Sequence, residues 1–157
     1  KSAMPKVLIP IGGQPMIFHI LTRLAEVDSS APVCIVVGHD REKVEQVIQN
    51  SPHNQNLQIS FVEQIERRGT GDADLVAMSS EWGSSVLKKR LPVLVLPGDL
   101  PLIPSRLIRE MAESLPRTSA LRLLSVEMTD PTGYGRIVRR GKKGCVIGIF
   151  EERDAYF

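Results

Sequence analysis

The sequence predicts an α/β fold in which a mostly parallel central sheet carries helices on both faces. Two observations favour this class. Short continuous apolar runs such as "PVCIVV" and "PVLVLP" are typical of strands that are buried on both faces of a sheet. These runs alternate along the chain with amphipathic helical segments, which is the order expected when helical crossovers join parallel strands.

The first half of the chain supplies two predicted helices and two predicted strands. A helix is predicted over 15–27, because its proline suits a first helical turn and four apolar residues share one face: Ile17, Ile20, Leu21 and Leu24. A buried strand over 31–38 follows. Asp40 is predicted to cap the next helix, over 41–49, and a strand over 57–63 comes after a polar loop.

The second half continues this alternation. The apolar run over 92–99 is predicted to be a buried strand, and Ser105 is predicted to cap a helix over 106–115 with an inner stripe of Leu107, Ile108, Met111 and Leu115. A further strand is predicted over 119–128, and a hairpin that turns at "GKKG" completes the chain. In open sheets of this kind, ligands bind beyond the carboxyl ends of the strands.

Composition narrows the class of protein. With 42% hydrophobic and 24% charged residues, the 157-residue chain is typical of one soluble globular domain. Its net charge of +2 and its short, scattered basic pairs predict no nucleic-acid partner. The sequence contains no apolar stretch of membrane-spanning length and no visible signal peptide. Cys34 and Cys145 both lie in apolar runs, so buried thiols in a reducing cytoplasm are favoured over a disulfide.

Motifs for several common chemistries are missing from the sequence. The three histidines, His19, His39 and His53, do not have metal-ligand spacing, and there is no cysteine cluster, so a zinc site is not predicted. Neither a Walker-type phosphate loop nor a nucleophile elbow occurs. Covalent catalysis by a triad is therefore not indicated.

The loop over 66–73 is the first candidate for chemistry at the ligand-binding edge. Gly69, Thr70 and Gly71 expose successive backbone N–H groups just before a helix, which suits a phosphate or a polar ring edge. Gln64 ends the preceding strand, and its amide can both donate and accept hydrogen bonds, as reading a nucleobase edge requires. An ordinary strand-to-helix turn also explains these residues.

Two charged residues are candidates on the neighbouring loops. Asp99 follows Gly98 directly after an apolar run, where a hard oxygen ligand would hold Mg²⁺ against substrate phosphates. A turn hydrogen bond is the alternative role for the same carboxylate. Lys6 is the sole cation in the loop "MPKVLIPIGGQPMI", where a point charge suits a phosphate, although a solvated lysine has the same pattern.

The stretch "DPTGYGRI" combines ordinary turn residues with a second glycine, Gly135, just before a strand rich in β-forming residues. A glycine at a strand entrance often indicates that another group approaches the backbone closely. The sequence therefore predicts a close contact at Gly135.

Six segments of the chain occur in an order typical of one enzyme family: "MPKVLIPIGGQPMI", "VVGH", "EQIERRGTGDA", "LPGDLPLI", "DPTGYGRI" and "IFEERDA". Over nearly the whole chain, from Met4 to about Ala155, they resemble the uridyltransferase domain of bacterial bifunctional GlmU, a sugar-nucleotide transferase. The resemblance implies a Rossmann-like nucleotidyltransferase fold. It also implies Mg²⁺-dependent synthesis of UDP-N-acetylglucosamine from UTP and N-acetylglucosamine 1-phosphate, a step toward peptidoglycan.

The resemblance implies roles for individual residues on the nucleotide side of the site. Lys6 matches a lysine that contacts the nucleotide phosphates and stabilises the reacting groups. Gln64 matches the residue that reads uracil, and Gly69 and Thr70 match residues that line the same pocket.

The remaining matches concern the metal ion and the sugar. Asp99 matches the Mg²⁺ ligand, next to a substrate contact expected at Gly98. Gly135 matches a backbone contact to the amino sugar, and Glu151 matches a hydrogen-bond partner of sugar hydroxyls. On this interpretation the sugar ring lies against Gly135, where a side chain would collide with it.

The chain departs from the family pattern in several places. Pro97 replaces the Tyr or small residue that is usual before Gly-Asp, and Asp72 replaces a common His after Gly-Thr-Gly. The chain starts at Lys1 without a methionine and stops at Phe157. We therefore interpret 1–157 as one nucleotidyltransferase domain without the family's amino-terminal strand and Gly-rich loop, and without its carboxyl-terminal part.

Two alternatives to this activity stay open: another sugar 1-phosphate nucleotidyltransferase, or a catalytically inactive regulatory homologue that binds a nucleotide or a partner protein. A homo-oligomer is also expected, and the resemblance implies a trimer if the full protein carries the family's β-helix acetyltransferase domain.

Overall fold

A computed structural model describes residues 4–38, 40–66, 68–115, 119, 121–141, 144–150 and 152. The chain forms two units, Lys1–Pro116 and Arg117–Phe157. The described elements of the first unit are, in order, a 3₁₀ turn (Lys6–Leu8), β1 (Pro10–Ile11), β2 (Gln14–Pro15), α1 (Met16–Val27), β3 (Pro32–Val37), α2 (Arg41–Gln49), α3 (His53–Asn56), β4 (Gln58–Glu63), α4 (Thr70–Met78), α5 (Glu81–Lys89) and α6 (Ser105–Ala112). The second unit contains β5 (Arg136–Arg139) and β6 (Val146–Phe150). No helix within the described ranges is both long and apolar enough to cross a membrane.

The parallel pairing of β3 with β4 organises the first unit. The register runs without interruption from Pro32 opposite Gln58 to Val37 opposite Glu63. Parallel strands need a long crossover between them, and α2 and α3 provide it. The α/β class predicted from the sequence is confirmed.

A hydrophobic cluster packs α1 and α2 against one face of this strand pair. Its buried members are Leu8, Ile17, Leu21, Val37, Val44, Ile48 and Leu57. Alternate strand residues pack against the cluster: Val33 and Ile35 from β3, and Ile59 and Phe61 from β4. This is the period of two that gives each face of a strand its own set of side chains. The predicted inner face of the first helix is confirmed, because Ile17, Ile20 and Leu21 are buried.

Neither predicted helix cap forms a side-chain capping hydrogen bond, and each side chain has a charged partner instead. Asp40 lies at the N-cap of α2, but its backbone is left-handed, with φ of 68°, and its carboxylate accepts a hydrogen bond from Lys43 Nζ at 3.0 Å. Pro104 occupies the N-cap of α6, and Ser105, the first helical residue, donates its hydroxyl to Glu26 at the end of α1. This hydrogen bond is the main cause that lowers the pKa of Glu26, and it ties α6 to α1.

Two apolar runs predicted to be strands, 92–99 and 119–128, do not form strands within the described residues. Several of their large apolar side chains are exposed, among them Val95 at 56% and Val126 at 74%. An extended segment becomes a strand only when another strand supplies half of the ladder hydrogen bonds. No described strand pairs with either run, and apolar composition cannot replace that partner.

Helix α5, which follows α4 after a short junction, is not predicted from the sequence. Ser80 caps α5, and its hydroxyl oxygen accepts a hydrogen bond from the backbone N–H of Gly83 at 3.3 Å. Gly83 approaches the end of α4 so closely that a Cβ there would stand 2.2 Å from the carbonyl oxygen of Met78. The junction therefore requires a residue without a side chain.

A groove of about 580 Å³ opens at the amino ends of β3 and β4. Pro32 and Ile59 of the strands line it, together with Trp82 and Lys89 of α5. The indole Nε1 of Trp82 is buried, and no described residue accepts a hydrogen bond from it. α5 thus lies across this groove from the strand ends opposite to those from which the loop after β4 emerges.

The second unit contains an antiparallel hairpin, as the sequence predicts. Arg136 of β5 pairs with Phe150 of β6, and an irregularity in the register falls between Val138 and Arg139. Of the predicted "GKKG" turn, residues 142–143 lie outside the described residues.

Replacing Gly83 with alanine is expected to destabilise the first unit by about 1–3 kcal/mol, the usual cost of overpacking. The added methyl would meet backbone atoms of Met78, which cannot move aside as a flexible side chain does. Gly71→Ala is the matched control, because a Cβ at this helical glycine has no neighbour within 4 Å. The control is expected to be neutral or slightly stabilising. Thermal melting of the two variants checks this, and equal melting temperatures would contradict it.

Candidate functional site

One of the predicted loops starts from the carboxyl end of the strand pair. The backbone N–H of Gln64 donates to the carbonyl oxygen of Val37 at 2.8 Å, so Gln64 lies directly beyond β4 and beside the last residue of β3. Val37 also belongs to the buried cluster that contains Leu8 and Ile17, which packs the 3₁₀ turn on the same core. The loop after β4 therefore lies where ligands bind in open α/β sheets.

Lys6 and Asp99 form an ion pair within the first unit. Lys6 Nζ lies 2.6 Å from Asp99 Oδ2, and the two side chains are 69% and 39% exposed. Gly98 allows them to meet, because a Cβ at this position would lie 3.3 Å from Val7 Cγ1 and 3.8 Å from Ile17 Cδ1. The glycine therefore lets the loop that carries Asp99 approach the 3₁₀ turn that carries Lys6.

The exposure of this pair decides what it can do. An ion pair in contact with water contributes only about 0–1 kcal/mol to stability, because solvent screens both charges. The Lys6 ammonium and the Asp99 carboxylate are thus close together yet free to exchange partners at small cost. A cation beside a hard carboxylate is the combination that a site for phosphates and a divalent ion requires.

A small hairpin fixes the chain that follows the 3₁₀ turn. β1 and β2 pair across Gly12 and Gly13, which have φ values of 58° and 88°, a region that favours glycine. His19 on α1 holds this hairpin in place. Its Nε2 donates to the carbonyl oxygen of Ile11 at 2.8 Å, and its Nδ1 accepts from the Gln14 amide at 3.2 Å. The sequence gives His19 no role, whereas the structure assigns it this contact.

The side chain of Gln64 is held within its own loop. Its Nε2 donates to the carbonyl oxygen of Gly69 at 3.1 Å and to Oδ2 of Asp72 at 2.7 Å. Both partners can only accept, so the amide nitrogen must face them. The predicted donor of Gln64 is therefore already in use, and the Oε1 atom is the group left to accept from a ligand. In the sequence Asp72 is only a departure from the family pattern, and its contact with Gln64 is not predicted.

Gly69 and Thr70 form the start of α4, which begins earlier than predicted, because Thr70 and Gly71 are already helical. Gly69 is the N-cap residue, and its φ of 100° is accessible to glycine and strained for other residues. Thr70 is the first helical residue, and both are exposed. The first backbone N–H groups of a helix have no partner within it, so they remain available to an anion or a carbonyl oxygen.

In the second unit, the "DPTGYGRI" loop is held by its own polar groups. The Asp130 carboxylate accepts from the Thr132 hydroxyl at 2.6 Å and from its backbone N–H at 3.1 Å, and the hydroxyl is the main cause that lowers the pKa of Asp130. Gly133, with φ of 82°, is the glycine whose backbone conformation requires glycine. At Gly135 a Cβ would lie 3.4 Å from both the Ile149 side chain and the Phe150 carbonyl oxygen. Among the described residues, the groups that approach Gly135 most closely thus belong to the same hairpin.

A carboxylate does lie beside this loop, but it belongs to Glu152. Its Oε2 accepts from the backbone N–H of Gly133 at 2.8 Å, and its Oε1 lies 3.3 Å from the Arg136 guanidinium. Arg136 also donates to the carbonyl oxygen of Pro131 at 2.8 Å, so one arginine joins the loop to the carboxylate. The predicted sugar contact, Glu151, lies outside the described residues. Sequence reasoning missed Glu152, and the only signal for it is the pair of adjacent glutamates.

The predicted site residues thus fall into separate groups. The structure brings Lys6, Gly98 and Asp99 together, and it joins Gln64 to Gly69 and Thr70 in a second loop of the same unit. Gly135 belongs to the second unit.

The described residues contain no cluster of three or more His, Cys, Asp and Glu side chains that could hold a metal ion. Magnesium needs no such cluster, since it commonly binds one or two carboxylates together with water and substrate phosphates. His53 packs on the ring of Phe18, with centroids 4.9 Å apart, and burial lowers its pKa. His39 lies outside the described residues.

Comparison with known proteins agrees with this geometry. Residues 2–136 match the MobA-like NTP transferase domain. The chain is 38% identical over 155 residues to the bifunctional protein GlmU of Nitrosomonas eutropha, which covers 99% of this chain and 31% of that protein. The chain is also similar to the GlmU protein of Stenotrophomonas maltophilia, with 38% identity over 155 residues, which are 99% of this chain and 30% of that protein. Its identity to the GlmU protein of Cupriavidus pinatubonensis is 36% over 154 residues, which are 98% of this chain and 31% of that protein.

The chain spans about a third of the length of these curated relatives. They confirm the resemblance to GlmU and the Rossmann-like nucleotidyltransferase fold inferred from the sequence motifs. An exposed lysine–carboxylate pair and a Gly-Thr-Gly helix start, in the unit that contains a parallel strand pair, accompany this match. The chain belongs to the family of MobA-like NTP transferase domains.

Proposed function

We propose that the chain is the nucleotidyltransferase domain that forms UDP-N-acetylglucosamine and pyrophosphate from UTP and N-acetylglucosamine 1-phosphate. Family membership and the similarity to GlmU proteins support nucleotidyl transfer to a sugar phosphate. The observation that carries the proposal is the exposed Lys6–Asp99 pair, in the same unit as the Gln64 loop.

The reaction brings two anionic groups together. A phosphate oxygen of the sugar 1-phosphate attacks the α-phosphorus of UTP in line, the bond from that phosphorus to the bridging oxygen breaks, and pyrophosphate leaves. Transfers of this kind depend on positioning and charge neutralisation rather than on a nucleophilic side chain. Lys6 contributes a compact positive charge toward the phosphate oxygens, which reduces the repulsion between the two substrates.

Asp99 is the residue that would hold Mg²⁺. Its carboxylate is partly exposed and offers hard oxygen ligands, and a single carboxylate with water and substrate phosphates is a common Mg²⁺ site. The donor set therefore fits the ion. When bound, Mg²⁺ would neutralise charge on the phosphate oxygens.

The Lys6–Asp99 pair keeps both charged groups in place before substrates arrive. Because the pair contributes only about 0–1 kcal/mol, its replacement by a Lys6–phosphate contact and an Asp99–metal contact costs little. We interpret the pair as the resting arrangement of two groups that act on the phosphates together.

The base and the sugar engage other loops. Gln64 offers Oε1 to a base N–H, and the exposed backbone at Gly69 and Thr70 lies next to it. The resemblance assigns the amino sugar to the backbone of Gly135 and its hydroxyls to Glu151.

The full-length protein is expected to release pyrophosphate from UTP and N-acetylglucosamine 1-phosphate, and chelation of Mg²⁺ with EDTA is expected to abolish the release. A coupled pyrophosphate assay measures it, with glucose 1-phosphate as the comparison sugar. Absence of release with every sugar 1-phosphate tried would overturn nucleotidyl transfer. Release with glucose 1-phosphate alone would retain the reaction and overturn the sugar assignment.

Lys6→Met and Asp99→Asn are each expected to lower kcat by about 100-fold or more, the usual loss when one charged stabiliser of a transition state is removed. Both variants should retain the stability of the parent to within about 1 kcal/mol, because the pair is exposed. Arg106→Met is the matched control, since it removes another exposed ion pair, Arg106–Glu110 on α6. Steady-state kinetics and melting curves measure the effects on activity and stability. If Arg106→Met loses as much activity as the two site variants, the roles assigned to Lys6 and Asp99 are refuted.

Gly135→Ala is expected to raise the KM for the sugar phosphate by about tenfold with little change in UTP binding. The fold should tolerate the methyl, because φ is not positive at Gly135 and the nearest atoms lie at 3.4 Å. Gly133→Ala is the contrasting variant: its φ of 82° makes any side chain strained, so it should lose about 1 kcal/mol of stability. An unchanged KM in a folded Gly135→Ala protein would remove Gly135 from the sugar site.

A further inference from the structure

We infer that Asp72 is a positioning residue that sets base selectivity. It holds the Gln64 amide so that the site favours a base whose ring nitrogen carries a hydrogen, such as uracil, over a base whose ring nitrogen is an acceptor, such as cytosine. The inference rests on the proposed nucleotide-binding function of the Gln64 loop and adds to it the residue that orients the reading group.

The contact between the two side chains is short and charge-assisted. Gln64 Nε2 lies 2.7 Å from Asp72 Oδ2 in a partly buried position, and 3.1 Å from the carbonyl oxygen of Gly69. A primary amide has two N–H hydrogens, and these two acceptors use both of them. Hydrogen bonds to an ionised carboxylate are the stronger class, so Asp72 contributes most of the restraint.

The alternative orientation of Gln64 is unfavourable for a simple electrostatic reason. A half-turn of the amide would place Oε1 against the Asp72 carboxylate and the Gly69 carbonyl, two groups that only accept. Without Asp72, only the neutral Gly69 carbonyl would oppose that turn. The described part of the loop thus fixes Gln64 with Oε1 as its outward acceptor.

This orientation has a defined chemical complement. Uracil and cytosine have the same size and differ along one edge: N3 of uracil carries a hydrogen between two carbonyl groups, whereas N3 of cytosine is an acceptor beside an amino group. An outward Oε1 accepts from uracil N3–H and repels the N3 lone pair of cytosine. A freely turning amide could instead present its NH₂ to cytosine. Asp72 would therefore act on selectivity more than on affinity.

Isothermal titration of the full-length protein with UTP and with CTP tests this. The parent is expected to bind UTP more tightly than CTP, and Asp72→Ala is expected to narrow the ratio of their dissociation constants by about tenfold, mainly through tighter CTP binding. Asp72→Asn keeps the size of the side chain and pairs with either amide orientation. Its ratio of dissociation constants should lie between that of the parent and that of Asp72→Ala. Asp74→Ala removes an equal charge two residues later in α4 and should leave the ratio unchanged.

The outcomes separate the inference from the function on which it rests. A parent protein that binds neither nucleotide would overturn the proposed function. A parent that binds UTP and CTP equally, or variants at Asp72 that weaken both nucleotides in parallel, would overturn the inference, because a merely structural role lowers affinity without changing selectivity. Should the alanine variant not fold, the ratio in Asp72→Asn decides. Gln64→Ala should bind UTP about tenfold more weakly and lose the preference for UTP over CTP. That result would identify Gln64 as the group through which Asp72 acts.

Discussion

The parallel register between β3 and β4 is the constraint on which the rest of the first unit depends. It places Val33, Ile35, Ile59 and Phe61 on the face that α1 and α2 cover. Side chains alternate along a strand, so a slip of one residue would turn this apolar set away from the core. The same register brings Gln64 beside the end of β3, and so it fixes the point from which the candidate nucleotide loop starts.

The polar groups of the candidate site are paired with one another in two different ways. The Lys6–Asp99 pair is exposed and joins two loops far apart in sequence, so solvent competes with it and a ligand can replace it. The Gln64–Asp72 contact is partly buried and local, and it is reinforced by the Gly69 carbonyl. One contact suits groups that must move to phosphates, and the other suits a group that must keep a fixed direction.

Sequence patterns predict those features that local periodicity and turn chemistry control. Apolar spacing predicts α1, the Gly-Thr-Gly turn predicts the helix that follows it, and alternation predicts the hairpin β5–β6. The prediction of strands over 92–99 and 119–128 is wrong, because a strand forms only with a partner strand, and the composition of the segment does not reveal that partner.

At the site, residue types predict candidates, but they do not predict which partner each side chain finds. Ser105 and Asp40 are residue types that favour helix caps, yet their side chains bind charged groups instead. Asp72 becomes interpretable only when its distance to Gln64 is known. The grouping of Lys6 with Asp99 depends likewise on a tertiary contact.

The groove beneath α5 gives this chain a built-in spectroscopic reporter. Trp82 is the only tryptophan in the chain, and its indole N–H is buried at the amino ends of β3 and β4. Indole fluorescence moves to longer wavelength when water reaches the ring, so its emission follows the detachment of α5 from the strands. The six residues of β4 separate this position from the Gln64 loop by about 20 Å. Emission from Trp82 therefore distinguishes loss of packing from local events in the loops within a single sample.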